Sequence, residues 1–288
     1  MDHVLVVNDA AGSTEEEAVD AAADVLRQVG EVQVVTTSDA DDLDAVIERL
    51  EGRRLVVCGG DGSIHLAVTR LRELGRADEP VGLIPLGTGN DLARGVGLPF
   101  DDAVAAAERV RDGTPHPTDL LVDDTGRTCV NALHAGVGAD ASARAEALKE
   151  RLAAVAYPIG AILAGVSAAG VDTEVSVDGE VLVDAPTLLV AVTNGSCFGG
   201  GASVCPDATT DDGALDVLVV TAVGPVARAA FALSLNAGEH LERDDVHLTT
   251  GREVRIRGEG LRYVVDGELH EEPEADRTWR VEHHAWSL

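Results

Sequence analysis

Lysine is almost missing from this sequence: the 22 basic residues include a single lysine, Lys149, and they face 51 acidic residues. The resulting net charge of −29 argues against binding to nucleic acid, and against binding to an anionic membrane at low salt. We interpret the acidic surface as an adaptation to a salty cytoplasm, because molar salt shortens the screening length to roughly 3 Å. The alternative interpretation is an acidic protein of a mesophile that is not adapted to high salt.

Aromatic residues are also scarce, at 2% of the chain, so a core has to be built from Val, Leu, Ile and Ala. The 288 residues are enough for one large domain or two ordinary ones. No C-x-x-C spacing occurs, which favours small, reduced, buried cysteines over a metal site or a disulfide. These cysteines are Cys58, Cys129, Cys197 and Cys205.

The nine histidines form no H-E-x-x-H pattern. His283 and His284 are adjacent, so in a strand they would point to opposite faces, and we expect them to be structural. The start of the chain shows no signal peptide, which predicts a cytoplasmic protein. Residues 152–171 carry no charge and could cross a bilayer, but they are mostly Ala and Gly around Pro158. We expect a buried helix pair there, or a helix lining an apolar pocket.

The first third of the chain alternates short apolar runs with helical patterns. This alternation predicts a doubly wound α/β domain over residues 1–117, with a parallel sheet and helices on both faces. The predicted strands are residues 4–7, 32–36, 55–58 and 81–84. One helix is predicted between Ser13 and Gly30, and two more over residues 43–50 and 64–74.

Strand-like runs dominate from residue 118 onward, which predicts a second, antiparallel β-rich domain over residues 118–288. Whether the last few residues return to the first domain is left open. The predicted strands are residues 119–122, 128–133, 173–177, 187–193, 215–221, 253–257 and 262–265, with helical stretches near 141–168 and 225–238.

Three polar, glycine-containing loops follow predicted strands of the first domain, beginning at Asn8, Gly59 and Pro85. The carboxyl ends of parallel strands meet at one edge of a sheet, where α/β proteins bind ligands. The second loop, GGDG, places three glycines around one carboxylate, as expected where backbone closely approaches another group. That group would be phosphate, although the usual G-x-x-x-x-G-K-[ST] signature is lacking.

Glycine-rich backbone ahead of a helix presents amide N–H groups and the helix dipole to an anion, and Thr88 adds a hydroxyl donor. Asp61 and Asp91 would repel phosphate, so they suggest a bridging Mg²⁺, a combination typical of phosphoryl transfer. The alternatives are a plain turn at D-G, and a helix N-cap formed by Asn90 or Asp91.

Two further acidic motifs lie in the second domain. Asp211, Asp212 and Asp216 cluster around Gly213 just before a predicted strand, and a solvated turn competes strongly with a functional loop here. The tetrapeptide V-D-G-E occurs twice, at residues 177–180 and 265–268. Each copy predicts a two-residue hairpin turn, and the second would place Glu268 at the hairpin tip.

Six of these pieces, taken in order, resemble the diacylglycerol kinase catalytic-domain family, which includes bacterial lipid kinases, sphingosine kinases and ceramide kinases. The resemblance covers nearly the whole chain. Its pieces are NDAAG, GGDGS, PLGTGNDLAR, NALHAGVGADA, GGGASVCPDATTDDGALDV and VDGEL.

The resemblance implies an α/β nucleotide-binding domain, a β-rich lipid-substrate domain and an active site in the cleft between them. It implies that Asp61 and Asp91 organise Mg²⁺, and that Glu268 is the general base toward the acceptor hydroxyl. It also implies a structural metal bound by the Asp212 carboxylate and the carbonyls of Thr209 and Ala214. The residues implied to bind ATP are Asn8, Thr36 or Thr37, Gly59, Gly60, Asp61, Gly62, Ser63, Thr88 and Asn90.

The sequence departs from the family pattern at several positions. Ser63 replaces a Thr, Asp9 replaces a Pro, and His65 and Leu66 stand where the family has Asn-Glu. Several bacterial members dock on membranes through basic surface residues, and this chain has few of them. These changes affect the acceptor and the membrane docking more than the kinase chemistry.

Three functions follow as hypotheses. The preferred one is an ATP-dependent lipid kinase that meets diacylglycerol, a sphingoid base, or an ether-lipid or isoprenoid alcohol at the membrane surface. A soluble-acceptor kinase such as an NAD kinase or a sugar-phosphate kinase is the first rival. A lipid- or nucleotide-binding regulator without turnover is the second. The sequence leaves open whether the chain forms a homodimer.

Overall fold

The computed structural model describes residues 1–9, 13–136, 170–259, 261–271 and 274–288. The chain divides into two compact units: the first holds residues 1–119 and 284–288, and the second holds residues 120–283. The helix expected near 141–168 and nearly all of the uncharged segment 152–171 lie outside the described residues. Among the described helices, none is both long enough and apolar enough to span a membrane.

The first unit is built on four parallel strands in the order β2-β1-β3-β4. Strands β1 and β3 are buried apolar runs, as their near-continuous Val and Leu content predicts for a parallel sheet covered on both faces. The strands are β1 His3–Asn8, β2 Val32–Thr37, β3 Arg54–Gly59 and β4 Val81–Pro85.

Helices cover both faces of this sheet. The helices are α1 Ser13–Leu26, α2 Ala40–Glu48, α3 Asp61–Glu73, α4 Asp91–Gly95 and α5 Ala103–Asp112. Helices α1 and α5 pack against each other and against Leu5, Val7 and Val56. Successive side chains of a strand lie on opposite faces of the sheet, so Leu55 and Val57 lie on the other face. On that face α3 contacts β3 and α2. The predicted doubly wound α/β fold is therefore confirmed.

The helix starts differ from the sequence-based prediction. Helix α2 begins at Ala40 because the Asp39 side chain accepts a hydrogen bond from the Asp42 N–H and caps it. Helix α3 begins at Asp61 and not at Ile64, so the last two residues of GGDG form the first helical turn. The glycine-rich motif is therefore the junction between β3 and α3.

Among its described residues, the second unit is a β-sandwich with one added α-helix, α6 Pro225–Ala237, which confirms the helix predicted near 225–238. A 3₁₀ turn at His240–Glu242 follows that helix. The strands of this half of the chain are β5 Pro117–Asp123, β6 Thr128–Cys129, β7 Ala132–Gly136, β8 Val171–Val177, β9 Glu180–Thr187, β10 Leu189–Thr193, β11 Cys197–Phe198, β12 Ala202–Ser203, β13 Leu215–Val220, β14 Val246–Gly251, β15 Glu253–Glu259, β16 Arg262–Val265, β17 Glu268–Glu271 and β18 Glu274–Ser287.

Two six-stranded sheets form the sandwich, in the orders β14-β13-β10-β7-β16-β17 and β6-β5-β18-β15-β8-β9. Their facing side chains share one core, in which Tyr263 and Trp279 are the largest residues. The predicted antiparallel β-rich half is thus confirmed. All four cysteines are buried, as expected, and burial raises the pKa of the Cys58 thiol to about 12.

Some strands differ from the prediction. Residues 128–133, expected as one strand, form β6 and β7, separated at Val130 and Asn131. Strand β18 is the longest described strand, yet no strand was predicted there. Its charged residues interrupt the apolar alternation, and Trp279, Val281 and Trp286 alone do not produce a regular pattern.

Candidate functional site

The predicted convergence of loops at one sheet edge is confirmed. Asn8 pairs with Thr37 at the ends of β1 and β2, and Gly59 pairs with Pro85 at the ends of β3 and β4. Because β1 lies between β2 and β3, the four strand ends form one continuous edge. The Asn8 side chain is exposed there and Thr37 is half-buried, so both are accessible to a ligand.

The glycines of the second and third loops allow two backbones to touch. A methyl group added to Gly87 would lie 2.6 Å from the Cα of Gly60, and one added to Gly60 would lie 3.0 Å from the Cα of Gly87. Real Cβ atoms essentially never lie as close as 2.6 Å to backbone, so Gly87 requires glycine, whereas a side chain at Gly60 requires the facing backbone to move by a few tenths of an ångström. Contact between the loops therefore explains Gly87, and it also explains Gly60, which the resemblance implied as an ATP contact.

Asp61 connects the same two loops by hydrogen bonds. Its carboxylate accepts the N–H groups of Asp91 and Leu92, both at 3.1 Å, and so caps α4 from thirty positions earlier in the chain. Asn90 occupies the N-cap position, as one alternative expected, but its side chain makes no capping bond. Its amide group instead donates to the carbonyls of Gly87 at 2.7 Å and Phe100 at 3.2 Å.

The amino end of α3 is suited to an anion. Its N-cap residue is Gly60, so no side chain caps the helix, and the first-turn amides carry the positive end of the helix dipole. A methyl group added to Gly62 would meet nothing within 4 Å, and the exposed Thr88 follows Gly87, which touches Gly60. The Ser63 hydroxyl lies directly against Gly59. This cradle fits the phosphates of a nucleotide.

The two carboxylates of the site flank Gly89. A methyl group placed on Gly89 would lie 3.0 Å from an oxygen of Asp61 and 3.7 Å from an oxygen of Asp91. Asp91 is buried, whereas Asp61 is half-buried. One or two carboxylates next to phosphate oxygens are the usual ligands of Mg²⁺, so this donor set fits that ion.

Glu268 begins β17, and its side chain is exposed. Val265 pairs with Glu268 across the turn, and both turn residues have positive φ, 45° at Asp266 and 94° at Gly267. This geometry confirms the predicted two-residue hairpin and places Glu268 directly after its turn.

Asp266 has a role that sequence reasoning missed. Its carboxylate accepts three backbone N–H groups between β6 and β7, from Val130 at 2.6 Å, Asn131 at 2.9 Å and Ala132 at 3.0 Å. Asp178 of the first V-D-G-E copy accepts two backbone N–H groups in the same way, from Arg252 and Glu253. The repetition of V-D-G-E was the sequence signal that could have revealed this role, because in both copies the Asp carboxylate accepts backbone N–H groups of a distant segment.

Replacing Asp266 by Ala is expected to lower the free energy of unfolding by about 3 kcal/mol, because three buried N–H donors would lose a charged acceptor. The matched substitution Asp178→Ala leaves two donors at an exposed turn, and we expect a loss of about 1 kcal/mol. Urea unfolding of both variants measures the difference. Equal losses would contradict a special role for Asp266.

The acidic loop before β13 holds the residues implied to bind a structural metal. The Asp212 carboxylate accepts the Ala214 N–H at 2.9 Å, and Thr209 is exposed. Burial, followed by the charges of Asp212 and Asp207, raises the pKa of Asp216 to about 6. The metal role of Asp212 and the two carbonyls stays a prediction.

The expectation that His283 and His284 point to opposite faces is wrong. Both residues lie in β18, where His284 has a positive φ of 51°. Their imidazole ligand nitrogens lie within 4.8 Å of each other. The irregular backbone breaks the alternation on which the expectation depended.

Comparisons with known proteins agree with this architecture. Residues 2–122 match the family model of the diacylglycerol kinase catalytic domain, and residues 131–282 match that of the YegS C-terminal NAD kinase beta sandwich-like domain. The solved structure of a candidate diacylglycerol kinase from Bacillus anthracis superposes with a TM-score of 0.80 at 23% identity, covering 99% of this chain and 96% of that one. The fold is therefore that of the two-domain kinases of this type.

Sequence relatives narrow the class to a family. A diacylglycerol kinase of Mycobacterium tuberculosis is 32% identical over 220 residues, which are 75% of this chain and 70% of the relative. A candidate YegS-like lipid kinase of Xanthomonas oryzae is 31% identical over 273 residues, 86% of this chain and 82% of the relative. The chain belongs to the diacylglycerol kinase family.

Proposed function

We propose that this chain transfers the γ-phosphoryl group of ATP to the hydroxyl of a membrane lipid, with Mg²⁺ as the metal. Family membership supports the reaction class, because relatives carry the names diacylglycerol kinase and lipid kinase. The observation that carries the proposal is the connected pair of glycine loops. Asp61 joins the β3–α3 and β4–α4 junctions at the sheet edge, beside an uncapped helix start.

In this proposal the amino end of α3 binds phosphate. Its first-turn amides donate to phosphate oxygens, Gly62 leaves room for their approach, and the Thr88 hydroxyl adds a donor. Asn8 and Thr37 line the neighbouring part of the edge. Mg²⁺ would be held by Asp61 and Asp91 with phosphate oxygens, and it would supply positive charge to the transferring group.

Glu268 is the proposed general base. Its carboxylate accepts the proton of the lipid hydroxyl while the hydroxyl oxygen forms a bond to the γ-phosphorus. The bond between that phosphorus and the β–γ bridging oxygen breaks, and ADP leaves. The products are a lipid phosphate, ADP and one proton held by Glu268. The acceptor lies in a membrane, so we infer a transient, peripheral encounter with the lipid surface.

A soluble-acceptor kinase is the competing function, because the second half of the chain matches a family model described as NAD kinase beta sandwich-like. The two functions differ in the acceptor and not in the nucleotide. Acceptors offered in solution and in detergent therefore separate them.

The test offers Mg²⁺, γ-labelled ATP and a total lipid extract in detergent to the purified full chain, over a series of KCl concentrations. We expect label in a lipid product, and mass spectrometry of that product identifies the acceptor. Parallel reactions contain NAD or soluble sugars in place of lipid. Label in those alone would favour the soluble-acceptor kinase, and ATP binding with no labelled product would favour a regulator.

A further inference from the structure

We propose that Asp266 positions Glu268 for catalysis by attaching the DGE hairpin, residues 265–268, to the buried link between β6 and β7. The link consists of Val130 and Asn131. Asp266 is in this sense a positioning residue, because it acts through Glu268. The inference rests on the proposed function, in which Glu268 is the general base.

One residue of the DGE hairpin makes several hydrogen bonds to the link and to the start of β7. The Asp266 carboxylate accepts the N–H groups of Val130 at 2.6 Å and Asn131 at 2.9 Å. It also accepts the N–H of Ala132 at 3.0 Å, and the Asp266 N–H donates to the carbonyl of Ala132 at 3.0 Å. Hydrogen bonds to a charged acceptor are about twice as strong as neutral ones, so this attachment defines the position of the turn.

The link is itself held by the segment that follows β10. The Asn131 carbonyl accepts the N–H groups of Asn194 at 2.8 Å and Gly195 at 3.1 Å. The Asn131 amide group donates to the carbonyl of Cys197 at 3.0 Å. The Asn194 amide group donates to the carbonyl of Val130 at 2.9 Å. All five residues are buried, so water competes little for these bonds, and the DGE hairpin is attached to a fixed part of the second unit.

Glu268 follows the attached residue closely, with only Gly267 between it and Asp266. Both turn residues have positive φ, and Glu268 pairs with Val265 across the turn. In a two-residue hairpin the turn determines the first strand pair, so holding Asp266 also holds the backbone of Glu268. The exposed Glu268 side chain can then reach only the region around that fixed point. General-base catalysis requires such a limit, because the base has to lie within about 2.6–3.2 Å of the group whose proton it accepts.

The first V-D-G-E copy shows that the hairpin forms with a weaker attachment. Asp178 and Gly179 have the same pair of positive φ values, 50° and 85°. The Asp178 carboxylate accepts the N–H groups of Arg252 at 3.0 Å and Glu253 at 2.9 Å, but Asp178 and Arg252 are exposed, so water competes for these bonds. The stronger, buried attachment at Asp266 therefore serves the residue that follows its turn.

The test is Asp266→Asn in the purified full chain, with labelled ATP and the lipid extract as substrates. Asn has nearly the same shape and tolerates positive φ, but its NH₂ group cannot accept an N–H. We expect kcat to decrease about 10- to 100-fold, because a displacement of about 1 Å is enough for such a loss. ATP affinity, measured by calorimetry, should stay within about 2-fold, because the residues proposed to bind ATP all belong to the first unit.

A double-mutant cycle separates positioning from a general loss of structure. In the Glu268→Gln background, Asp266→Asn should lower kcat by less than about 3-fold further, because the base that it positions is already absent. Asp178→Asn makes the same substitution in the matching turn and should leave kcat unchanged. Circular dichroism identifies a KCl concentration at which every variant is folded. If Asp266→Asn does not fold, Asp266→Glu keeps the charge but displaces the carboxylate, and it should lower kcat at least about 10-fold.

Three outcomes would overturn this inference alone and leave the proposed function intact. They are a folded Asp266→Asn or Asp266→Glu variant with the full kcat, an undiminished further loss in the Glu268→Gln background, and an equal loss in Asp178→Asn. Absence of labelled lipid with the unsubstituted chain would instead overturn the proposed function, and an unchanged rate in Glu268→Gln would overturn its general base. Either of these two results also overturns the positioning role of Asp266.

Discussion

Replacing Glu268 by Gln is expected to lower kcat for lipid phosphorylation by about 10²- to 10⁴-fold. Gln has nearly the same shape as Glu but cannot accept the proton of the acceptor hydroxyl. Glu268 is exposed beside a hairpin turn, so the free energy of unfolding should change by less than about 0.5 kcal/mol. Initial rates with labelled ATP and urea unfolding measure the two effects separately.

The chain contains a matched control for this substitution. Glu180 occupies the same position in the first V-D-G-E copy, is also exposed, and also follows an Asp-Gly turn with positive φ at both residues. Glu180→Gln should leave kcat unchanged. If both variants kept the full rate, Glu268 would not be the base; if both lost it, the effect would not be specific to this hairpin.

Replacing Gly87 by Ala is expected to disrupt the nucleotide site and to lower the free energy of unfolding by about 1–3 kcal/mol. The new methyl group would lie 2.6 Å from the Cα of Gly60 and 3.0 Å from Oδ1 of Asn90, so the two loops have to move apart. A displacement of about 1 Å between catalytic elements can lower the rate about 100-fold. Urea unfolding and kcat/KM for ATP measure the two consequences.

Gly62→Ala is the paired substitution with the opposite expectation for stability. A methyl group there meets nothing within 4 Å, and Gly62 lies in the first turn of α3, where Ala is stabilising by up to about 1 kcal/mol. If ATP phosphates approach this turn, the methyl group should weaken ATP binding while stability is kept or raised. Unchanged ATP affinity would place the phosphates elsewhere.

Local sequence patterns predicted much of the first unit. The apolar runs around Val4 and Val57 have the length and composition of buried parallel strands, and the structure confirms them as β1 and β3. The hairpin at Asp266 and Gly267 was predicted because Asp-Gly tolerates positive φ. These features depend on neighbours a few residues apart, and so local spacing encodes them.

Contacts between distant segments could not be predicted in the same way. The spacing around Asp61 does not indicate that its carboxylate caps α4, and the spacing around Asp266 does not indicate three N–H donors more than 130 residues earlier. Strand β18 was missed because its partner strands, and not its own periodicity, stabilise its charged sequence as a strand.

The sequence by itself determined the alternation of strands and helices in the first unit, the family, and the sheet edge at which Asn8, Gly59 and Pro85 meet. Local backbone propensity, the motif order and the rule that the carboxyl ends of parallel strands meet at one edge of a sheet are enough to predict these features. Only the tertiary structure decided that Gly60 and Gly87 touch each other, and that the Asp61 carboxylate caps α4. Such approaches depend on how separate strands pack and where a strand is irregular, which no local pattern specifies.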